Sequence, residues 1–199
     1  MNPRRTEGRI YAPREGGNSL SRGLERALLK EGYVQWTDSL PALYVPQTNE
    51  LQLTALSTVQ NWDILTMANP AEIHRWCLWI SDELPDVPLL SLYREPNGFW
   101  NGKLFVSGKP QWKVCKELDR EVPYPIPLLG EDNGLRATQS YPVLGGGDRR
   151  GPIQGLAEGP ATAFLSAFGL PHVLPEDHGK REQVWLEKES PLVINRVKE

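Results

Sequence analysis

Asn69-Pro70-Ala71-Glu72-Ile73-His74-Arg75-Trp76-Cys77-Leu78-Trp79-Ile80-Ser81-Asp82-Glu83-Leu84 is the stretch on which the fold turns. It reads as a helix with marked ends. Asn69 suits a cap, Pro70 the first helical position, and Glu72 follows three residues after the cap. Ile73, Trp76, Cys77, Ile80 and Leu84 recur at helical spacing, so they share one buried face. Pro85 and Pro88 end the element.

The pattern changes to strands on both sides. Downstream, Leu89 to Arg94 reads as a strand, followed by the turn residues Pro96-Asn97-Gly98 and Asn101-Gly102. Lys103 to Ser107 and Trp112 to Lys116 read as further strands around a Gly108-Lys109-Pro110 turn, which predicts an antiparallel meander. Upstream, Tyr33 to Thr37, Leu43 to Val45 and Leu51 to Leu56 read as strands; Leu51, Leu53 and Ala55 alternate with Gln52 and Thr54. An earlier helix is expected from Asn18 or Ser19 to about Glu31, with Leu20, Leu24, Ala27 and Leu28 as its stripe and Gly32 as its stop. Gly23 inside it costs ~1 kcal/mol relative to alanine.

The ends differ in composition. Residues 1–17 carry prolines and glycines and read as a basic extended arm. Pro123, Pro125 and Pro127 favour an extended path. Beyond them, residues 130–160 are rich in glycine and turn residues, relieved only by a strand expected near Thr138–Leu144. A short helix is expected from Pro160 to Phe168, and final strands at Val184–Leu186 and Leu192–Val197. The expected organisation is therefore an arm (1–17), an α+β core (18–129) and a loop-rich C-terminal region (130–199) packing on it. The fold class is α+β: an antiparallel sheet with two main helices.

The 199 residues are 39% hydrophobic and 9% aromatic, with seven tryptophans, eighteen prolines and eighteen glycines. That aromatic content argues against disorder. The net charge of −3 gives no global attraction to nucleic acid. The charge is uneven, however. Six arginines oppose three glutamates over residues 1–26, whereas three basic groups oppose nine acidic ones over 27–100. The arm arginines, among them Arg4, Arg5, Arg9 and Arg14, are candidates for contact with phosphates or an acidic partner. No apolar run approaches the ~20 residues of a membrane helix. With no secretory signal and two distant cysteines, Cys77 and Cys115, the thiols are expected to be reduced and the protein cytoplasmic.

Chemistry-bearing motifs are sparse. Gly145-Gly146-Gly147-Asp148-Arg149-Arg150-Gly151 resembles a phosphate loop in its glycines, but it lacks the following Lys-Ser/Thr and runs into Pro152. Arg149 and Arg150 are the better contact candidates. His172, Glu176, Asp177 and His178 lie in a proline-bounded loop without a metal-ligand spacing. Cys77 falls on the buried helix face, and no histidine lies near Cys115, which has Lys113 and Lys116 as neighbours. His74, one residue past the stripe, reads as a boundary histidine. Trp100, with Phe99, Phe105 and Trp112, alternates with Lys103, Lys109, Lys113 and Lys116. Such a surface stacks bases and holds phosphates, or else the aromatics face the core and the lysines water. Trp76 and Trp79 cannot both be central on one stripe, and Trp79 is the candidate for an exposed partner contact.

Ser19 to Leu28, then Leu43-Tyr44-Val45-Pro46-Gln47, then Ile64 to Trp76 follow in an order that resembles the small accessory subunit of type III-D CRISPR effector complexes. The resemblance covers under half the chain. It implies a non-catalytic role in antiviral defence, beside large RNA-binding subunits, and carries no site residues with it. The expectation is a non-enzymatic subunit of a multi-protein assembly, an RNA-guided ribonucleoprotein, with RNA backbone contact and no cofactor or metal. A viral structural or accessory protein and a small hydrolase using the 172–178 loop are the alternatives.

Overall fold

The computed structural model of the chain describes residues 6–14, 19–47, 50–59, 62–97, 99–117, 120–121, 126–127, 140–142, 148–150 and 181–197. In chain order the strands are β1 (Glu7–Pro13), β2 (Tyr33–Trp36), β3 (Leu51–Val59), β4 (Trp62–Met67), β5 (Leu89–Arg94), β6 (Trp100–Val106), β7 (Lys109–Glu117), β8 (Arg120–Glu121), β9 (Ile126–Pro127), β10 (Ser140–Pro142), β11 (Asp148–Arg150) and β12 (Arg181–Glu187). The helices are α1 (Ser19–Lys30), α2 (Ile73–Glu83) and α3 (Pro191–Val197). Among the described residues, ten strands make one antiparallel sheet in the order β2-β12-β3-β4-β1-β5-β6-β7-β8, with β9 also on β7; β10 and β11 pair separately. The fold is α+β, with two main helices.

Helices α1 and α2 lie together on one face. Their apolar stripes, Leu20, Leu24 and Leu28 on α1 and Ile73, Trp76, Cys77 and Ile80 on α2, meet Ile10, Leu65, Leu89, Phe105 and Trp185 from five strands. Each such side chain contributes about 1.5–3 kcal/mol when fully buried. The intervening strand residues Tyr11, Ile64, Leu90 and Leu104 point the other way and are buried too. The central strands therefore carry apolar side chains on both faces.

Two glycines set the closeness of the layers. A Cβ on Gly23 would stand 2.5 Å from Leu84 Cδ1 and 3.0 Å from Ile80 Cγ2, so its missing side chain lets α1 approach the α2 end. Gly8 is more constrained, since a Cβ there would lie 2.9 Å from the Pro70 backbone. Gly32, at φ +88°, ends α1 in the left-handed region as its position predicted.

The β5–β6–β7 meander forms as expected. Its second turn is Ser107-Gly108, both at positive φ, rather than Gly108-Lys109-Pro110. Positive φ at both central residues suits the right-handed twist of a two-residue hairpin. The turn docks on the end of α2: Gly108 N donates to Ser81 Oγ (3.0 Å) and Ser107 Oγ to Pro85 O (2.7 Å).

Several expectations need correction. Residues 7–13, taken as arm, form β1, which sits between β4 and β5 near the middle of the sheet. Trp62–Met67 is a strand that its sequence did not announce. Leu43–Val45 pairs with no strand among the described residues. Leu192–Val197 belongs to α3, whose first residue is Pro191, and not to a strand. The Pro70 segment starts as a 3-10 turn (Pro70–Glu72), and the Asn69 side chain makes no capping bond. From the C-terminal region, β12 enters the core sheet between β2 and β3. The helix expected at 160–168 and the remaining loops of 130–180 lie outside the described residues. No helix among the described residues is long and apolar enough to cross a membrane.

Candidate contact site

The residue types associated with catalysis lie beneath α2. His74 in its first turn places Nδ1 2.7 Å from Ser91 Oγ on β5, and Ser91 Oγ lies 3.4 Å from Lys103 O on β6. The order His74 Nδ1–H to Ser91 Oγ–H to Lys103 O gives each of these donors an acceptor. Burial, with a smaller contribution from the Lys103 charge, pushes the His74 pKa down to about 3. The imidazole is therefore neutral near pH 7. Burial also pushes the Cys77 thiol well above its usual range, partly offset by a hydrogen bond with Ser91. Ser91 and Cys77 have no exposed surface. A nucleophile must meet its substrate, so in this geometry the group acts as a strut between helix and sheet.

The opposite arrangement holds at the β2 edge of the sheet, in the segment running from Trp36 to Glu50. Here a carboxylate is buried and apolar side chains are exposed. Glu50 accepts hydrogen bonds from the Tyr44 hydroxyl and from Gln47 N (2.7 Å). The Tyr44 hydroxyl also lies 3.4 Å from Ser190 Oγ, where α3 begins. Hydrogen bonds from Ser190, Tyr44 and the Gln47 backbone hold the Glu50 carboxyl below its usual range. Burial, reinforced by the bonded carboxylate, raises the Tyr44 pKa. A second tie comes from Arg196 of α3, which pairs with Asp38 at 3.4 Å and stacks 5.2 Å from the Trp36 ring centre. Tyr44 turns inward, so Leu43 and Val45 on either side turn outward, 95% and 85% exposed. Ile194 on α3 is exposed as well.

The site residues predicted from sequence are scattered. Arg4 and Arg5 lie outside the described residues. Arg9 is buried in β1, where it pairs with Glu7 at 3.2 Å and reaches the Tyr11 hydroxyl at 3.4 Å, so it is no surface contact. Arg14 stands exposed just past β1, on the wall of a cavity. Trp79 is half-buried, edge-on to Trp76 (4.8 Å between ring centres), with the Arg75 guanidinium 4.8 Å above its ring. Trp100 is buried in β6, which corrects its reading as a stacking residue. Lys103 is half-buried on β6, and Lys113 faces it across the β6–β7 ladder. Arg149 and Arg150 lie on β11, paired with Tyr141 and Ser140 of β10. The 172–178 loop lies outside the described residues. No group of histidine, cysteine, aspartate or glutamate able to hold a metal occurs among the described residues.

Sequence reading placed Leu43 to Val45 in a strand and so missed that Leu43 and Val45 face solvent. The flanking Pro41 and Pro46 were the available sign that this segment joins no ladder. Comparison with protein-family models, with curated proteins and with solved structures gives no match for the chain.

Proposed function

We propose that this chain is a non-catalytic subunit of a multi-protein assembly, and more narrowly an accessory subunit of an RNA-guided ribonucleoprotein of antiviral defence. The supporting observation is the pair Leu43 and Val45, presented to solvent on backbone that Tyr44 and Glu50 tie to α3. A single exposed leucine is ordinary. Two aliphatic groups on a held segment bury apolar area on association with little loop ordering, and loop ordering is one of the main costs of binding. The narrower reading draws on the resemblance to the type III-D small subunit, to which Leu43–Gln47 belongs.

The test is purification of the tagged chain from its native host, with and without nuclease, beside a Leu43→Asp, Val45→Asp variant. The expected result is co-purification of large RNA-binding subunits and short RNA with the unaltered chain, and loss of those subunits from the variant. A chain that emerges alone, or with capsid proteins, overturns the reading.

A further inference from the structure

A cavity of about 260 Å³ opens where α1 begins, between the ends of β1, β3, β4 and β12. At about 30 Å³ per water, it accommodates a tetrahedral anion with part of its hydration. The strand register explains how it is assembled. Thr58 lies opposite Asp63, and Asp63 opposite Ala12, all on the helix-bearing face. Arg181 opens β12 opposite Leu56, two residues from Thr58 on that same face. Arg14 follows the last residue of β1, and Ser21 of α1 closes the wall.

The lining has a definite chemistry. Arg14 and Arg181 come from positions 167 residues apart in the sequence, and both line this one space. Both are exposed, and neither makes an ion pair among the described residues. Among the described residues Asp63 is the one carboxylate in the wall, and its Oδ1 accepts from Thr58 Oγ1 at 2.9 Å. Two guanidinium groups against one carboxylate leave a positive wall with the side-chain hydroxyl of Ser21 within it. Guanidinium groups present planar forks of donors that match the oxygens of a phosphate.

We propose that this cavity binds a phosphate group, with Arg14 and Arg181 as its anion ligands. The proposal is independent of the assembly reading. Its source is either a small phosphate or the phosphodiester of an RNA strand, and the arms of the test separate the two. The full chain is titrated with inorganic phosphate at constant ionic strength, with chloride as the balancing anion, and binding is read from amide NMR shifts.

The expected result is a saturable response. Arg14→Gln and Arg181→Gln each weaken it roughly tenfold, as loss of a charge-assisted contact does. Asp63→Asn strengthens it, because a like charge leaves the wall. Both arginines are exposed, so the variants keep the unaltered thermal midpoint in chloride alone. A labelled oligouridylate of about ten nucleotides supplies the second arm. Binding that inorganic phosphate displaces, and that the double arginine variant loses, assigns the site to an RNA backbone. A phosphate response without RNA binding assigns it to a small phosphate. No saturable phosphate response, or one that survives in the double variant, overturns the proposal.

Discussion

The ground beneath α2 and the segment from Trp36 to Glu50 reverse the usual placement of side chains in different ways. Beneath α2, the groups that catalysis favours, a histidine, a serine and a cysteine, are drawn in between helix and sheet, with Ser91 and Cys77 fully buried. In the other segment a carboxylate and a tyrosine are withdrawn, while a leucine and a valine stand in water. Among the described residues, the histidine–serine–cysteine group is therefore packed inside while aliphatic side chains stand at the surface. In both regions the buried polar groups hold backbone in place, because a buried polar group left without a partner costs about 1–3 kcal/mol. The difference lies in what the held backbone displays. Beneath α2 it displays a packed interior, and in the edge segment it displays exposed aliphatic side chains.

This contrast is open to direct attack. Trp76→Ala removes a side chain with no exposed surface that lies edge-on to Tyr33 and Trp79. It is expected to destabilise the fold by about 3–5 kcal/mol in urea unfolding. A much smaller loss would mean that α2 is not the main support of the sheet.

Acid supplies a second test. The folded His74 resists protonation down to about 3, whereas the unfolded histidine takes up its proton near 6.5. Stability must therefore fall as pH drops through that window, by about 1.4 kcal/mol per pH unit. Between pH 6.5 and 5 the loss due to this group is about 2 kcal/mol. Unfolding of a His74→Asn variant at both pH values should lack that slope. An equal slope in the variant would remove His74 from the strut.

Glu50 reports on the other region. Its carboxyl is depressed in the folded state, so its contribution is complete above the ordinary value of 4.5 and is lost as pH falls through the folded pKa. Glu50→Gln should cost ~1.5 kcal/mol at neutral pH and loosen Tyr44, read as faster amide exchange around Gln47. Unchanged exchange would mean that Leu43 and Val45 are held by something else. The smallest effect is expected from Leu43→Asp with Val45→Asp, within about 0.5 kcal/mol of the unaltered chain, because neither side chain packs inside. A large loss of stability would show those residues to be structural.

Parts of this organisation were legible from local pattern. The α2 stripe was readable because Ile73, Trp76, Cys77 and Ile80 fall on one face whatever lies across from them. Strand β5 was readable from its boundaries, and Gly32 from its place after a helical stripe. The arginine content of residues 1–26 was misleading. It suggested a solvated arm, whereas Arg9 is neutralised by Glu7 within a central strand. The β4 sequence, Trp62-Asp63-Ile64-Leu65-Thr66-Met67, has no clean alternation because both of its faces meet cover. The candidate contact site was legible only as apolar residues between prolines, with no sign of which way they point.

The sequence by itself determined the amphipathic helices, the hairpin meander and the α+β class. These depend on periodicity and turn chemistry that act within about a dozen residues. Tertiary structure alone decided that β1 lies between β4 and β5, that β12 enters between β2 and β3, and that Leu43–Val45 pairs with no strand among the described residues. It also decided that Arg14 and Arg181 share a cavity. The physical reason is that a strand is completed by backbone hydrogen bonds to another strand, and its partner is chosen by three-dimensional packing. Arg181 reaches Leu56, and Trp185 reaches both Gln52 and Gln35, across more than a hundred residues of chain. No local pattern encodes a choice made at that distance.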